Sequence, residues 1–216
     1  MPIDRPHELI ELRRAIMTMG AAVEQRVNQA VAALMEKDLD AARQVRRSDD
    51  EIDRMEVEIE QACLRILALS QPVATDLRMV LAIMRISGVL ERVADMARSI
   101  AKRAMDLHEL QSLDLPASLV NMAAASRSMF ADAMQALADR EVTLARRVRD
   151  ADQRVDDLQK EVFAWAQMEI PRHVEWTAAA IDVLSVARKL ERIADLCTTI
   201  GEEIIFLVEG LVVRHT

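Results

Sequence analysis

The sequence predicts an all-α protein made of two tandem, pseudo-symmetric three-helix bundles, with six long helices in all. Three observations predict this class. Glycine and proline supply only 4 and 5 of the 216 residues, below the average use of about 7% and 5%, so the chain has few places to turn. Apolar residues recur at helical spacing along most of its length. The order of two long helices, a proline-containing loop and a third long helix occurs twice.

In the first half, three apolar stripes predict three helices. Asp38 follows the first stripe and is suited to break the chain there or to cap the second helix. Ser70-Gln71-Pro72 ends the second helix, because proline cannot continue one. The three helices are predicted at about residues 8–37, 39–69 and 76–107.

The second half repeats this order after a polar, turn-prone stretch at residues 108–116. The first two helices match the chain 103 positions later, and the third helix matches at an offset of 100. The predicted domains are therefore 1–108 and 117–210, and a single fused six-helix bundle is the alternative. Gly210 is suited to cap the last helix. The helices of this half are predicted at about residues 117–138, 140–168 and 175–208.

The composition argues against several classes of function. The formal net charge of −8 makes the chain a poor non-specific binder of nucleic acid, but leaves cation binding and a basic partner open. No apolar run approaches the ~20 residues that a transmembrane helix needs, and the first residues lack the apolar core of a signal peptide. Cys63 and Cys197 lie far apart on predicted helices, which favours two reduced thiols in a cytoplasmic protein.

One hexapeptide occurs twice with a single difference. Residues 90–95 are Leu-Glu-Arg-Val-Ala-Asp, and residues 190–195 are Leu-Glu-Arg-Ile-Ala-Asp. Each copy places a Glu and an Asp four residues apart, which puts both carboxylates on one face of a helix, one turn apart. The pairs are Glu91 with Asp95 and Glu191 with Asp195.

Further acids lie on the helix that precedes each hexapeptide helix. They flank the apolar stripe, so they border the face that packs against a neighbouring helix. In the second half Gln159 replaces the acid at the position of Glu56, and Glu202 on the last helix compensates in part. The candidate metal ligands are Asp49, Asp53, Glu56, Glu91 and Asp95 in the first half, and Asp152, Asp156, Glu191, Asp195 and Glu202 in the second.

These acids have two interpretations. If the helices that carry them are neighbours, four or more carboxylates meet in each half and need a cation or a proton between them. Oxygen ligands of this kind suit Mg²⁺, Ca²⁺, Mn²⁺ or iron better than a structural zinc site. The alternative is a solvated acidic stripe whose Arg92 and Arg192 form surface ion pairs worth about 0–1 kcal/mol. The near-identity of the two hexapeptides favours the metal interpretation.

Sequence motifs of catalysis are absent. A carboxylate-bridged di-iron enzyme uses Glu-x-x-His, and none of the 4 histidines has a Glu three residues before it. The chain also contains no phosphate-binding glycine loop and no serine nucleophile motif. A metalloenzyme and a plain helical interaction module without metal remain alternatives, but the sequence predicts a protein that is not an enzyme.

Motifs distributed along the chain carry a resemblance to a known family. They are Met17-Thr18-Met19-Gly20, Met55-Glu56-Val57, Ala62-Cys63, the loop from Gln71-Pro72 to Leu77-Arg78, both Glu-Arg-x-Ala-Asp elements, and the closing segment from Gly210 to Arg214-His215. In this order, and over almost the whole chain, the sequence resembles the PhoU family of bacterial phosphate-transport accessory proteins.

The resemblance implies two similar three-helix bundles and metal clusters of iron or zinc held by Glu/Asp-x-x-x-Asp motifs. In this sequence those motifs are Glu91/Asp95 and Glu191/Asp195, with acids of the preceding helices facing them. It also implies a regulatory role, in which the protein represses the phosphate-starvation response by linking the Pst phosphate transporter to the PhoR sensor kinase. The expected partners are a PstB-like ATPase and a PhoR-like histidine kinase. A cytoplasmic homodimer that reaches the membrane only through these partners is expected.

Overall fold

Helices account for all the regular structure that the computed structural model describes, which comprises residues 5–47, 49–110 and 113–213. The all-α prediction is therefore confirmed. The side chain of Asp49 and the closing Arg214-His215 lie outside the described residues. The helices are α1 (Arg5–Glu36), α2 (Leu39–Arg47), α3 (Asp49–Ser70), α4 (Ala74–Leu110), α5 (Ala117–Asp139), α6 (Val142–Glu169) and α7 (Thr177–Glu209).

The helices form two bundles of the same design, as the repeat predicts. In the first, α1, α3 and α4 pack on one another, and the short α2 packs on α1 and α4. In the second, α5, α6 and α7 pack on one another. Most inter-bundle contact runs between α4 and α7, and a smaller contact joins α1 to α5. The two tandem three-helix bundles are confirmed.

Two ion pairs fix α4 and α7 in an antiparallel arrangement. Arg85 Nη1 lies 3.0 Å from Glu203 Oε2, and Arg103 Nη1 lies 3.0 Å from Asp182 Oδ1. Both acidic residues are largely buried, with exposed fractions of 4% for Glu203 and 8% for Asp182. A buried charge is tolerated only when it is paired. The two pairs therefore fix the register of the central helices near both ends of their contact.

Apolar residues of both bundles belong to one continuous core. Val93 of α4 and Ile193 of α7 are both fully buried, and these are the positions at which the two hexapeptides differ. The acidic positions therefore stand on helices whose opposite sides are anchored in the core. The predicted domain limits 1–108 and 117–210 stay a prediction. The helix α4 continues to Leu110, and the shared core offers no boundary between the bundles against which to check these limits.

Two predicted helix ends are confirmed by their hydrogen bonds. Asp38 Oδ1 accepts from the backbone N–H groups of Asp40 and Ala41, both at 3.0 Å. Gly210 has a φ of 75° and donates its N–H to the carbonyl of Phe206 at 3.0 Å. A left-handed residue in this position is the usual end of a helix, and glycine adopts it without strain.

Two helices begin slightly later in the chain than the approximate starts expected from the sequence. Arg140, expected at the start of a helix, is the left-handed residue that ends α5, with a φ of 55°. The last helix was expected from about residue 175, but Val174–Trp176 form a 3₁₀ turn and α7 begins at Thr177. Helical periodicity places a helix end only to within a few residues, because a tight turn at the end keeps nearly the same spacing.

Gly201 explains how closely α6 and α7 approach. A Cβ atom at this position would lie 2.9 Å from the carbonyl oxygen of Ala145. Only glycine lets a helix backbone approach another at this distance. The close approach is made by the same two helices that carry the acids of the second half.

Candidate metal centres

The first acidic cluster forms where α3 packs against α4. Burial raises the pKa of Glu91, and the negative charges of Asp95, Asp53 and Glu56 raise it further. Burial, followed by the charge of Asp53, also raises the pKa of Asp95. Two acids from α3 and two from α4 therefore lie within electrostatic reach of one another, as the periodicity predicts. The fifth candidate of this half, Asp49, has no described side chain.

The second acidic cluster forms where α6 packs against α7. Burial raises the pKa of Asp152 to about 6, with Asp156 and Asp195 adding to the shift. Burial also raises the pKa of Glu191, as do the charges of Asp195, Asp156 and Asp152. The corresponding four positions of the second half thus also meet, and Asp152 is the acid with the most strongly shifted pKa.

Asp152 carries the most direct sign of a missing ligand. Its Oδ1 atom is buried and has no hydrogen-bond partner among the described residues. Leaving a buried polar atom unpaired costs about 1–3 kcal/mol, and like charges around it add to this cost. A cation, or a proton, would satisfy the atom and relieve the repulsion. The donor set, which is all carboxylate, fits a hard or borderline divalent metal.

Neither cluster is a ready-made coordination sphere. Within the described residues, no group of three His, Cys, Asp or Glu side chains is placed to hold a metal ion. The carboxylates interact through their charges, and their side chains would have to turn towards a common point to bind one ion. Partial exposure of Glu91, Asp95, Glu191 and Asp195 leaves room for such rotations.

Arginines neutralise the two clusters in different ways. In the first half, Arg98 donates to Asp95 Oδ1 at 2.5 Å, while Arg92 turns back to the carbonyl of Gly88 at 3.0 Å. In the second half, Arg192 donates to Asp195 Oδ2 at 3.2 Å. The alternative interpretation assigned surface ion pairs to both Arg92 and Arg192. The structure has this pair for Arg192, whereas the guanidinium of Arg92 bonds to the backbone one turn earlier.

The two threonines of the last helix bond to its backbone and not to the second cluster. Thr198 and Thr199 donate their hydroxyls to the backbone carbonyl of Asp195, at 2.7 and 3.1 Å. They therefore hold the turn of α7 rather than the carboxylate. Glu202 is not among the charges that raise the pKa values of Asp152 and Glu191. Its role as a ligand stays a prediction.

Sequence reasoning missed a buried cation beside the first cluster. Arg26 of α1 is only 5% exposed, and its Nη2 atom lies 3.4 Å from Glu51 Oε2. Burial lowers the pKa of Arg26, and the charges of Glu51 and Asp53 oppose this shift. A signal was present, since Arg26 lies three residues after buried Val23 and therefore falls on the apolar side of its helix.

The sequence reasoning also missed that the two clusters differ in the residue at one end. In the first cluster this residue is Gly88: a Cβ atom built on it would lie 3.7 Å from Glu56 Oε1. Because glycine has no side chain, nothing from this position covers the cluster. The position equivalent to Gly88 is Arg188, whose guanidinium lies 5.4 Å from the ring centroid of Phe163. The second cluster therefore ends at a cation stacked on an aromatic ring.

The two thiols are buried and unreactive. Cys63 and Cys197 are both free and have no exposed surface. Burial, with a contribution from Glu60, raises the pKa of Cys63 to about 12. Burial, with a contribution from Asp152, raises the pKa of Cys197 still further above its ordinary value. Because only the thiolate reacts, both side chains act as apolar packing groups.

A groove between α1 and α3 lies away from both clusters. It occupies about 520 Å³ and contains none of the predicted metal ligands.

None of the described helices is long and apolar enough to cross a membrane.

Two three-helix bundles of the same design, each with an acidic cluster on equivalent helices, define a class of duplicated all-α proteins. The chain belongs to the PhoU family. The family model described as "PhoU domain" matches it twice, over residues 16–104 and 119–204.

Individual relatives extend this match over the whole length. The phosphate-specific transport system accessory protein PhoU homolog of Pseudomonas putida is 38% identical over 96% of this chain and 82% of its own. The PhoU protein of Escherichia coli K12 is 33% identical over 96% of this chain and 86% of its own. The crystal structure of PhoU from Pseudomonas aeruginosa superposes with a TM-score of 0.90 at 34% identity, covering 95% of this chain and 99% of that one. These relatives carry the names of accessory proteins, which confirms the prediction that the chain is not an enzyme.

Proposed function

We propose that this protein is a cytoplasmic, metal-binding regulator of phosphate uptake that represses the phosphate-starvation response when phosphate is plentiful. The names of its relatives, which describe phosphate-specific transport accessory proteins, support the phosphate role. The observation that carries the metal-binding part is the meeting of four carboxylates at equivalent places in both bundles. A protein without catalytic groups can still regulate through such sites, because a cation bound between two helices would hold those helices together.

The proposed partners are a PstB-like transporter ATPase and a PhoR-like histidine kinase, with the protein acting as the link between them. A relative named as an accessory protein of a transport system supports a partner in that system. Association with the membrane would then be peripheral and made through these partners. A homodimer is part of the same proposal.

The proposed metal ligands are the acids that the helices bring together. Asp53, Glu56, Glu91 and Asp95 would hold the first site, and Asp152, Asp156, Glu191 and Asp195 the second. Asp49 and Glu202 are candidates for completing them. Iron or zinc follows from the family resemblance, and Mg²⁺ or Mn²⁺ from the all-oxygen donor set. A bound divalent cation would supply positive charge between two helices of each bundle.

A gene deletion tests the regulatory role. Loss of the protein should raise expression of a phosphate-starvation reporter, such as alkaline phosphatase, in phosphate-rich medium. Complementation with the wild-type gene should restore repression. Unchanged reporter expression in the deletion strain would contradict the proposal.

Complementation with variants tests whether metal binding is needed. The double variant Glu91→Gln/Asp95→Asn should fail to restore repression. Asp157→Asn is the matched control, because Asp157 is an exposed acid that pairs only with Lys160 and Gln153 among the described residues. Full repression by the double variant would separate the regulatory role from metal.

A further inference from the structure

A groove beside the first acidic cluster carries a concentration of positive charge. It occupies about 330 Å³ between α4 and α7. Its lining residues are Asp95, Met96, Arg98, Ser99, Lys102 and Lys189. Three of these six side chains are cationic and one is acidic, in a chain with a net charge of −8. We call this site the cationic groove.

The equivalent place on the other side of the pseudo-symmetry axis has the opposite charge. At an offset of 100 residues, Arg98, Ser99 and Lys102 become Thr198, Thr199 and Glu202, and Lys189 corresponds to Val89. All three cations are absent there, and an acid takes the place of one. The shared fold therefore does not require the three positive charges, since the same helix packing forms without them.

Protein groups satisfy only part of this charge. Arg98 forms an ion pair with Asp95. Lys102 and Lys189, by contrast, have no hydrogen bond or ion pair with any described residue, and Lys189 is half-buried. The two lysine ammonium groups lie in one groove and repel one another. Placing a further anion among them would be favourable.

We propose that the cationic groove binds a tetrahedral oxyanion, either inorganic phosphate or the phosphoryl group of a larger molecule. Two lysine ammonium groups, a guanidinium fork and the hydroxyl of Ser99 supply donors from several directions, which suits the oxygens of such an anion. The cavity is larger than one phosphate ion and is open to solvent, so a phosphoryl group with a substituent also fits.

The position of Asp95 couples this groove to the first acidic cluster. Asp95 lines the groove and also interacts electrostatically with Glu91 and Asp53. An oxyanion that attracts Arg98 would release Asp95 for a cation, and a bound cation would remove the repulsion between Asp95 and the oxyanion. Each ligand would then raise the affinity of the other by the same factor. This coupling rests on the proposed metal binding, whereas the oxyanion site does not.

Binding to the full chain in chelator-treated buffer tests the site separately from metal. The probes are inorganic phosphate and phenyl phosphate, measured by calorimetry with wild type, Lys102→Gln and Lys189→Gln. Each variant should weaken binding about tenfold, because one charge-assisted hydrogen bond is lost. Lys160→Gln is the matched control, since it removes an exposed lysine on the outer side of α6. It should leave binding unchanged.

The two probes distinguish the sources of the anion. Binding of inorganic phosphate that both groove variants weaken identifies the free ion as the ligand. Binding of phenyl phosphate alone, weakened by the same variants, identifies a phosphoryl group on a larger molecule. Absence of binding for both probes up to millimolar concentrations, or affinities that neither variant changes, would overturn the oxyanion site while leaving the proposed regulatory function intact.

Discussion

The two acidic clusters contain nearly the same sequence motif in two different environments. The first cluster lies beside a buried arginine and the cationic groove, and it extends to the open face of Gly88. The second is bounded by Arg188 over Phe163, and it contains a buried carboxylate oxygen without a described partner. The duplicated motif therefore determines the positions of the carboxylates on each helix. The residues around each cluster determine its affinity for a cation.

Asp152 marks this difference most clearly. Its pKa is raised to about 6, whereas Glu91 and Asp95 have smaller shifts in the same direction. An arginine pairs with one acid in each half, Arg98 with Asp95 and Arg192 with Asp195, so the oxygen of Asp152 without a described partner is what distinguishes the second cluster. The account therefore predicts that the second cluster binds its cation more tightly than the first.

Removal of the buried carboxylate should have the largest effect. Asp152→Asn replaces the oxygen that most needs a cation, and metal affinity at the second cluster should fall by at least about 100-fold. Loss of an outer-shell group already costs about 10–100-fold. Competition with a fluorescent chelator measures the affinity, and Asp157→Asn is the control. Tight binding retained in Asp152→Asn would remove Asp152 from the ligand set.

Exchange of the residue at the end of each cluster should have the next largest effect. Arg188→Ala removes a cation one turn from Glu191, so the second cluster should bind metal about 3- to 10-fold more tightly. Gly88→Arg should weaken the first cluster by a similar factor. Arg154→Ala removes an exposed cation on α6 and should change neither site. If Arg188→Ala and Gly88→Arg change the metal affinity of their clusters no more than Arg154→Ala does, these residues do not cause the difference between the clusters.

The pH dependence of stability should separate the clusters in metal-free protein. Folding raises the pKa of Asp152 from 3.8 to about 6, so the folded state binds a proton more tightly than the unfolded state. The stability contributed by the protonated group is present below about pH 4 and is lost as the pH rises through about 6. Asp152→Asn should therefore be more stable than wild type at pH 7, by about 1–2 kcal/mol after allowing for partial exposure.

Urea denaturation in the presence of a chelator, between pH 4 and 8, measures this difference. Asp53→Asn is the comparison from the first half, at an exposed acid, and should change stability less. A wild-type protein whose stability relative to Asp152→Asn does not vary with pH would contradict the predicted protonation of Asp152.

Much of the fold, and the positions of the acids on their helices, could be predicted from the sequence. Helical periodicity places Glu91 and Asp95 on one face, and the repeat identifies Glu191 and Asp195 as their equivalents. Because consecutive helices with short connections pack side by side, the acids of the preceding helices were expected to face them. Their shared electrostatic shifts agree with that expectation.

The remaining features depend on contacts between segments distant in sequence. The register of α4 against α7 is fixed by Arg85 with Glu203 and Arg103 with Asp182, and no local pattern pairs these residues. The cationic groove exists only because this register brings Lys189 next to the face of α4. Periodicity describes the faces of one helix, but it does not determine which helix covers them.

The central claim is that each bundle holds its own metal through the acids of its hexapeptide. Elemental analysis of protein purified without chelators tests it most directly, with wild type, Glu91→Gln/Asp95→Asn and Glu191→Gln/Asp195→Asn compared at equal protein concentration. The account predicts metal in the wild type, and in each double variant a loss confined to the metal of the altered bundle. A metal content that neither double variant changes would contradict the claim and leave a helical interaction module whose acids serve only as surface charge.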